Sequence, residues 1–429
     1  MKFSKLSQLF LVSSIGLLVA TVFTACAITT IDYVFVACSA GSGTSSDGQI
    51  QTYAVDSQSG ALRTGAPAVS SGGVNPVSMA VTSDYANLYV ANAGNSTIVH
   101  FAIGLNGVLT SKDTISLSTT PIYMAVNSAG TYLYVISCTS TATYPTLLCT
   151  SGSAALTEYA LSSGAIGSAA SSKPLNLANV SSAYASDILV PTGVTVLVNK
   201  GSVTGNAVYV TAYDQSAYNP GCTPTPTCTP STANPGWVFG FIIGSNGALT
   251  ASLNSPYEAG VKPTAIASDP TDRFVYVTDY ASNELIGYTI LDGSTLSFLP
   301  NGPFKTGNEP SAVAIDPRGK FIYVTNALDS SVSPYAIDLA TGTPTGAVSP
   351  AGAGNNATDT QPAAVMIDPA LGRFVYTANY LGNSVSGFRL DPTAGALTTT
   401  QASPYPTGAK PTAVVGVPHG NYSTQSVTP

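Results

Sequence analysis

The sequence predicts an all-β chain, a seven-bladed β-propeller of four-stranded antiparallel blades. Three observations predict it. Seven apolar phrases each open on a proline, at Pro76, Pro121, Pro191, Pro263, Pro310, Pro362 and Pro411, spaced 45–72 residues apart. Every one but the last is followed by a second β-rich phrase: NLYVAN, TYLYVIS, AVYVTA, FVYVTD, FIYVTN and FVYTAN. The ends of the chain complement one another. YVFVAC, from Tyr33 to Cys38, lacks an opening phrase, and the phrase at Pro411 lacks a second strand. Pairing the C-terminal strand with the N-terminal blade closes the ring and removes its open sheet edges. Blade 1 is then roughly 31–65 plus 410–418.

The phrases are too short and too β-branched for helices. A polar turn follows each second strand, then a third alternating strand such as ELIGYTIL or SVSPYAID. A glycine turn such as LNGVLT or TAGALT leads into a weaker fourth strand. The prolines and the turns after the second strands therefore share one face, here called the top. The turns DPTDR, DPRGK and DPALGR lie on the bottom, where Asp269, Asp316 and Asp368 are expected to cap them by accepting backbone N–H bonds. Asn92, Asn326 and Asn379 end second strands and are expected to satisfy backbone groups of the top turns.

The chain has 429 residues, and a repeat architecture can use that length in one domain. Charged residues are only 8%, but apolar residues reach 44% and recur in ordered clusters, which excludes disorder. The net charge is −7 and the basic residues are scattered singly, so nothing resembles a nucleic-acid-binding stripe. A surface of hydroxyls and amides has few groups that can titrate, so weak dependence of stability on pH is expected.

Residues 1–26 read as an export signal, 27–418 as the propeller and 419–429 as a flexible tail. Lys2 and Lys5 precede the apolar run LFLVSSIGLLVATVF, and FTAC, ending at Cys26, resembles a bacterial lipobox. Lipid attachment at Cys26 is the favoured reading. Ordinary signal cleavage and an uncleaved anchor are the alternatives, and the apolar run is short for a span. The expected location is the bacterial envelope: a periplasmic or outer-membrane lipoprotein, or the cell surface. Export permits disulfides, and Cys138 with Cys149, and Cys222 with Cys228, are expected to pair locally in inserted stretches. Cys38 is left as a buried thiol. No CxxC or neighbouring His suggests a metal.

Chemistry is expected at the top, where the phrases stop repeating. The residues before the prolines, Asn75, Thr120, Val190, Lys262, Glu309, Gln361 and Lys410, form a ring at the channel mouth. The insertion 213–236 adds Tyr213, Asp214 and Tyr218, with Trp237, the one tryptophan, at its base. Candidate contacts for a small polar ligand or an envelope protein are Lys262, Glu309, Gln361, Lys410, Tyr213, Asp214 and Tyr218.

YVTN, YVTD and YVAN after PxAVAxDP-type phrases resemble the YVTN-repeat, lactonase-like seven-bladed β-propellers, over residues 31 to 418. That resemblance implies the fold and, as an activity, hydrolysis of a sugar lactone of the 6-phosphogluconolactonase type or a related cycloisomerisation. In catalytic relatives one blade carries a Gly-x-x-Pro-Arg-His phrase at the mouth. Here the dipeptides after the prolines are Val77-Ser78, Ile122-Tyr123, Thr192-Gly193, Thr264-Ala265, Ser311-Ala312, Ala363-Ala364 and Thr412-Ala413, without Arg or His. His100 reads as a packed third-strand residue and His419 as a structural residue at the bottom. GxSxG, HExxH, P-loop and haem motifs are absent. The sequence therefore favours a monomeric, non-catalytic binding propeller without cofactor or metal, with the lactonase as the alternative.

Overall fold

The computed structural model describes residues 29–40, 47–140, 148–150, 152–178, 180–181, 187–198, 206–215, 235–245, 247–345 and 356–420. They form seven antiparallel sheets, one per predicted blade. The inner strands of blades 2 to 7 are Pro76–Val81, Thr120–Val126, Leu189–Val196, Pro263–Ser268, Pro310–Ile315 and Pro362–Ile367. Blade 1 is closed as expected. Ala409–Pro418 pairs with Thr30–Ala40, from Asp32 opposite Pro418 to Ala40 opposite Ala409. In blades 1, 4, 5, 6 and 7 the fourth strand is broken, and a second two-residue segment such as Phe304–Lys305 also pairs with the third strand.

The repeat earns its shape through a buried tyrosine. Tyr89, Tyr134, Tyr209, Tyr276, Tyr323 and Tyr376 occupy the same place in the second strands and are fully buried. Five of them reach into the next blade and donate to a carbonyl in its bottom turn. The acceptors are Gly164 (2.6 Å), Ser294 (3.0 Å), Gly342 (2.5 Å), Gly395 (2.9 Å) and Gly60 (2.7 Å). Each phenol thus adds a hydrogen bond to a large apolar contact between blades. Two glycines make room. Gly342 has φ +76°, and a Cβ there would lie 2.4 Å from the Phe274 ring. Gly287 stands across from Tyr276, and a Cβ there would meet Leu299 at 2.4 Å. Blade 3 departs from the pattern. Glu158 stands across from Tyr134, and neither the Tyr134 hydroxyl nor the Glu158 carboxylate has a hydrogen-bond partner.

The bottom turns are capped as expected. Asp316 is fully buried and accepts the N–H groups of Lys320 (2.6 Å) and Phe321 (2.8 Å). Asp269 and Asp368 do the same for Arg273 and Phe274, and for Arg373 and Phe374. Arg318 and Arg273 then clamp the following blade, donating to the carbonyls of Leu371 and Gly372, and of Leu339.

Two expectations need correction. Asn326 and Asn379 serve side chains rather than turn backbone. Their amides donate to Ser331 and Ser333, and to Ser384 and Ser386, on the third strand of the same blade. Nor is the chain short of shifted titratable groups. Burial raises Asp32, Glu158 and Asp187, because a charged carboxylate loses its hydration there.

The Cys138–Cys149 disulfide is present, with Cα atoms 5.7 Å apart, and Cys38 is a buried free thiol. The backbone N–H of Cys149 donates to the Gln215 side chain (3.0 Å), so the insertion of blade 3 is tied to the end of blade 4's second strand. Cys222, Cys228, Tyr218 and Cys26 lie outside the described residues.

Candidate mouth pocket

A cavity of 540 Å³ opens at the top and is lined by residues of all seven inner strands. Its position follows from the fold. The inner strands converge on the axis, so the residues just after each proline face one space. Tyr213, at the turn-side end of blade 4's second strand, and Tyr280 and Tyr380, directly after those of blades 5 and 7, complete the wall.

The hydroxyls that line it already act elsewhere. Thr264 Oγ1 donates to the Pro310 carbonyl (2.8 Å), Ser311 Oγ to Pro362 (2.6 Å) and Thr412 Oγ1 to Pro76 (2.6 Å). In each case the residue after one blade's proline fastens the proline of the next. Thr192 Oγ1 instead meets Thr211 Oγ1 at 2.9 Å. A nucleophilic hydroxyl needs a base at hydrogen-bond distance. Among the described residues none of these four has one, since their acceptors are carbonyl and hydroxyl oxygens.

Among the described residues, Lys262 is the cation of the cavity wall. Its loop is set by Asp279, fully buried at the end of the second strand, which accepts the N–H groups of Val261 (2.8 Å) and Lys262 (2.9 Å). The Lys262 ammonium stands 4.7 Å from the Tyr280 ring centre and 5.6 Å from that of Tyr213. Burial lowers its pKa and nearby Glu309 opposes that shift. Aromatic faces and an ammonium together suit a ligand with an anionic group and a flat or apolar body.

Of the ring before the prolines, Val190, Lys262 and Gln361 line the cavity, whereas Asn75, Thr120, Glu309 and Lys410 stand outside its wall. Asn75, Glu309, Gln361 and Lys410 share a left-handed backbone, with φ +53° to +56°. Neighbouring blades help hold two of them, because Asn283 Oδ1 accepts the Glu309 N–H and Asn383 Oδ1 that of Lys410, both at 2.8 Å. Four blades share this conformation, so it belongs to the repeat rather than to one special site. The Lys410 ammonium lies 6.0 Å from the Tyr380 ring. Tyr213 lines the cavity; Asp214 is buried outside it and helps push Asp187 up to about 6, after burial itself. Trp237 is buried in the core shared by blades 3 and 4.

Sequence reasoning passed over Tyr280, Tyr380 and Tyr123. The first two were legible as the residue directly after FVYVTD and FVYTAN, a place that Ala93 and Ala327 take in blades 2 and 6. The histidines are remote. His100 is buried, its Nδ1 2.5 Å from Asp113 Oδ1 and its Nε2 2.8 Å from Asn87 Oδ1. His419 packs edge-on against Tyr33. Among the described residues no three or more His, Cys, Asp or Glu gather as a metal site.

Residues 261–422, which span blades 5 to 7 and the closing strand, match the profile of the lactonase family of seven-bladed β-propellers. No curated protein matches the chain by sequence. Among solved structures, a provisionally described 6-phosphogluconolactonase from Bacteroides uniformis ATCC 8492 is 16% identical, with a TM-score of 0.66 over 91% of this chain and 100% of its own. One of like description from Bacteroides fragilis is 17% identical (TM-score 0.65, 90% and 98% covered). The periplasmic gluconolactonase of Pseudomonas aeruginosa is 18% identical (TM-score 0.66, 90% and 99% covered). In fold, then, the chain is a lactonase-like seven-bladed β-propeller.

Proposed function

We propose that the chain is an exported, lipid-tethered propeller that binds a small polar ligand at the mouth without turning it over. One observation carries this reading. The cavity wall offers the Lys262 ammonium among tyrosines, the hydroxyls of Thr264, Ser311 and Thr412 are committed to the ring, and among the described residues no histidine or carboxylate lines it. Such a wall supplies a charge-assisted hydrogen bond and aromatic faces, but no paired acid and base. Isothermal titration with a panel of aldonates, lactones and aromatic carboxylates tests it. The expected result is saturable binding that Lys262→Met weakens at least tenfold, with no product formed. Turnover of any lactone, abolished by Lys262→Met, overturns the non-catalytic reading.

The second reading, a lactone hydrolase or related cycloisomerase, is favoured by the family match over residues 261–422. Lys262 would then hold the substrate's anionic group, and a mouth tyrosine would be the acid. An assay for opening of sugar lactones decides between the two.

Export is inferred from the leader and agrees with the Cys138–Cys149 disulfide. The expected partners, a small ligand or an envelope protein, meet the top face, and the chain is taken to act as a monomer.

A further inference from the structure

We infer that the bottom face lies against a lipid surface and the mouth opens away from it. This rests on the lipid-attachment reading of Cys26. The described chain begins at the bottom. Thr30 pairs with Asp56 where the third strand ends, Asp32 pairs with Pro418, and the Thr29 carbonyl accepts the Ser57 N–H at 2.9 Å. Two residues, Ala27 and Ile28, separate Cys26 from Thr29, three steps of chain that reach at most about 10 Å even when fully extended. The six-residue strands make each blade about 20 Å tall. So short a leash cannot bring the top, or the pocket in it, to the membrane that holds the acyl chains.

Both faces carry exposed leucines, Leu328 at 64% and Leu381 at 56% on the top. The leash rather than the apolar tips therefore sets the orientation, and the bottom turns can make the contact it imposes. Leu105 is 85% exposed at the tip of blade 2's turn, beside Val108 at 46%. Leu291 and Leu339, each 46% exposed, stand at the same level in blades 5 and 6. Exposed apolar tips on three blades can enter the headgroup boundary together. Charge does not drive the contact, since exposed Asp338 and Asp391 share the face with Arg373 and Arg389. Association is therefore expected to depend weakly on salt.

The test uses the full-length protein purified from bacterial membranes and placed in phosphatidylcholine vesicles containing brominated lipid. Variants that each add one exposed cysteine, Leu105→Cys and Leu339→Cys at the bottom and Leu328→Cys and Leu381→Cys at the top, carry an environment-sensitive fluorophore. The unsubstituted protein gives the labelling background. The expected outcome is at least twofold quenching of both bottom labels and none at the top. Quenching at the top, or at neither face while mass spectrometry finds the lipid on Cys26, overturns the orientation and leaves the tether standing. A mature N-terminus beyond Cys26 without lipid removes the tether, and the orientation with it.

Discussion

The phenol of Tyr376 donates to the carbonyl of Gly60 at 2.7 Å, although 316 residues of chain separate them. The same bond recurs at four other blade junctions, so the tyrosine of the repeated phrase is a fastening between blades.

Removing that hydroxyl strands a buried carbonyl. Tyr323→Phe is expected to cost about 1–2 kcal/mol, from one lost hydrogen bond and one unsatisfied acceptor. Tyr376→Phe should cost at least as much, because it loosens the junction that closes the ring. Tyr134→Phe is the control: its hydroxyl has no partner, so the change should be neutral or stabilising. Urea denaturation of the three variants measures this, and an equal loss at Tyr134 would sink the idea of a fastening.

Glu158 and Asp32 should make stability fall as pH rises. Burial lifts the Glu158 carboxyl from 4.5 to about 7. Its protonated form is preferred in the folded chain, so its contribution is complete below about pH 4.5 and is lost as pH climbs through about 7. Glu158→Gln should therefore gain on the parent protein across that window, and level off above it. Asp32 is also raised, by burial first and then by the charge of Asp368, and neither of its carboxylate oxygens has a hydrogen-bond partner. The other groups its charge reaches are the phenols of Tyr85 and Tyr376. Asp32→Asn should likewise stabilise the chain above pH 4, by a margin that grows with pH. Thermal melts from pH 4 to pH 9 check both; margins independent of pH would refute the account.

The disulfide joins positions 11 residues apart. Replacing Cys138 and Cys149 together by serine should cost about 3 kcal/mol through the entropy regained by the unfolded loop. Chemical denaturation under non-reducing conditions supplies the comparison. Cys38, pushed up to about 11 by burial, should stay unreactive towards thiol reagents until the protein unfolds.

Asp279 is a positioning residue for the mouth. Asp279→Ala removes the acceptor of two N–H groups in the loop that carries Lys262. Ligand affinity should drop about tenfold with Lys262 still in place, while Asp279→Asn, which keeps one carbonyl oxygen, should recover part of it. Titration of both variants with the ligand found for the parent protein provides the measurement. Equal affinities in all three would show that the loop is held by other means.

Periodicity determined the fold from the sequence. Seven proline phrases, their second strands and the unmatched ends specify blade number, strand order and closure, because hydrogen-bonded sheets require local alternation and each blade must bury both faces. The capping role of Asp269, Asp316 and Asp368 was legible for the same reason, since a turn satisfies its N–H groups locally. The disulfide was legible from spacing within one insertion. Tertiary structure alone decided what the repeated side chains touch. That Tyr276 fastens to Gly342, that Thr264 is consumed by Pro310, and that Glu309 and Lys410 leave the cavity wall while Tyr280 and Tyr380 enter it depend on how neighbouring blades dock. The burial of Asp32 against Asp368 arises only when the two ends of the chain meet. Such contacts join residues distant along the chain, and no local pattern records them.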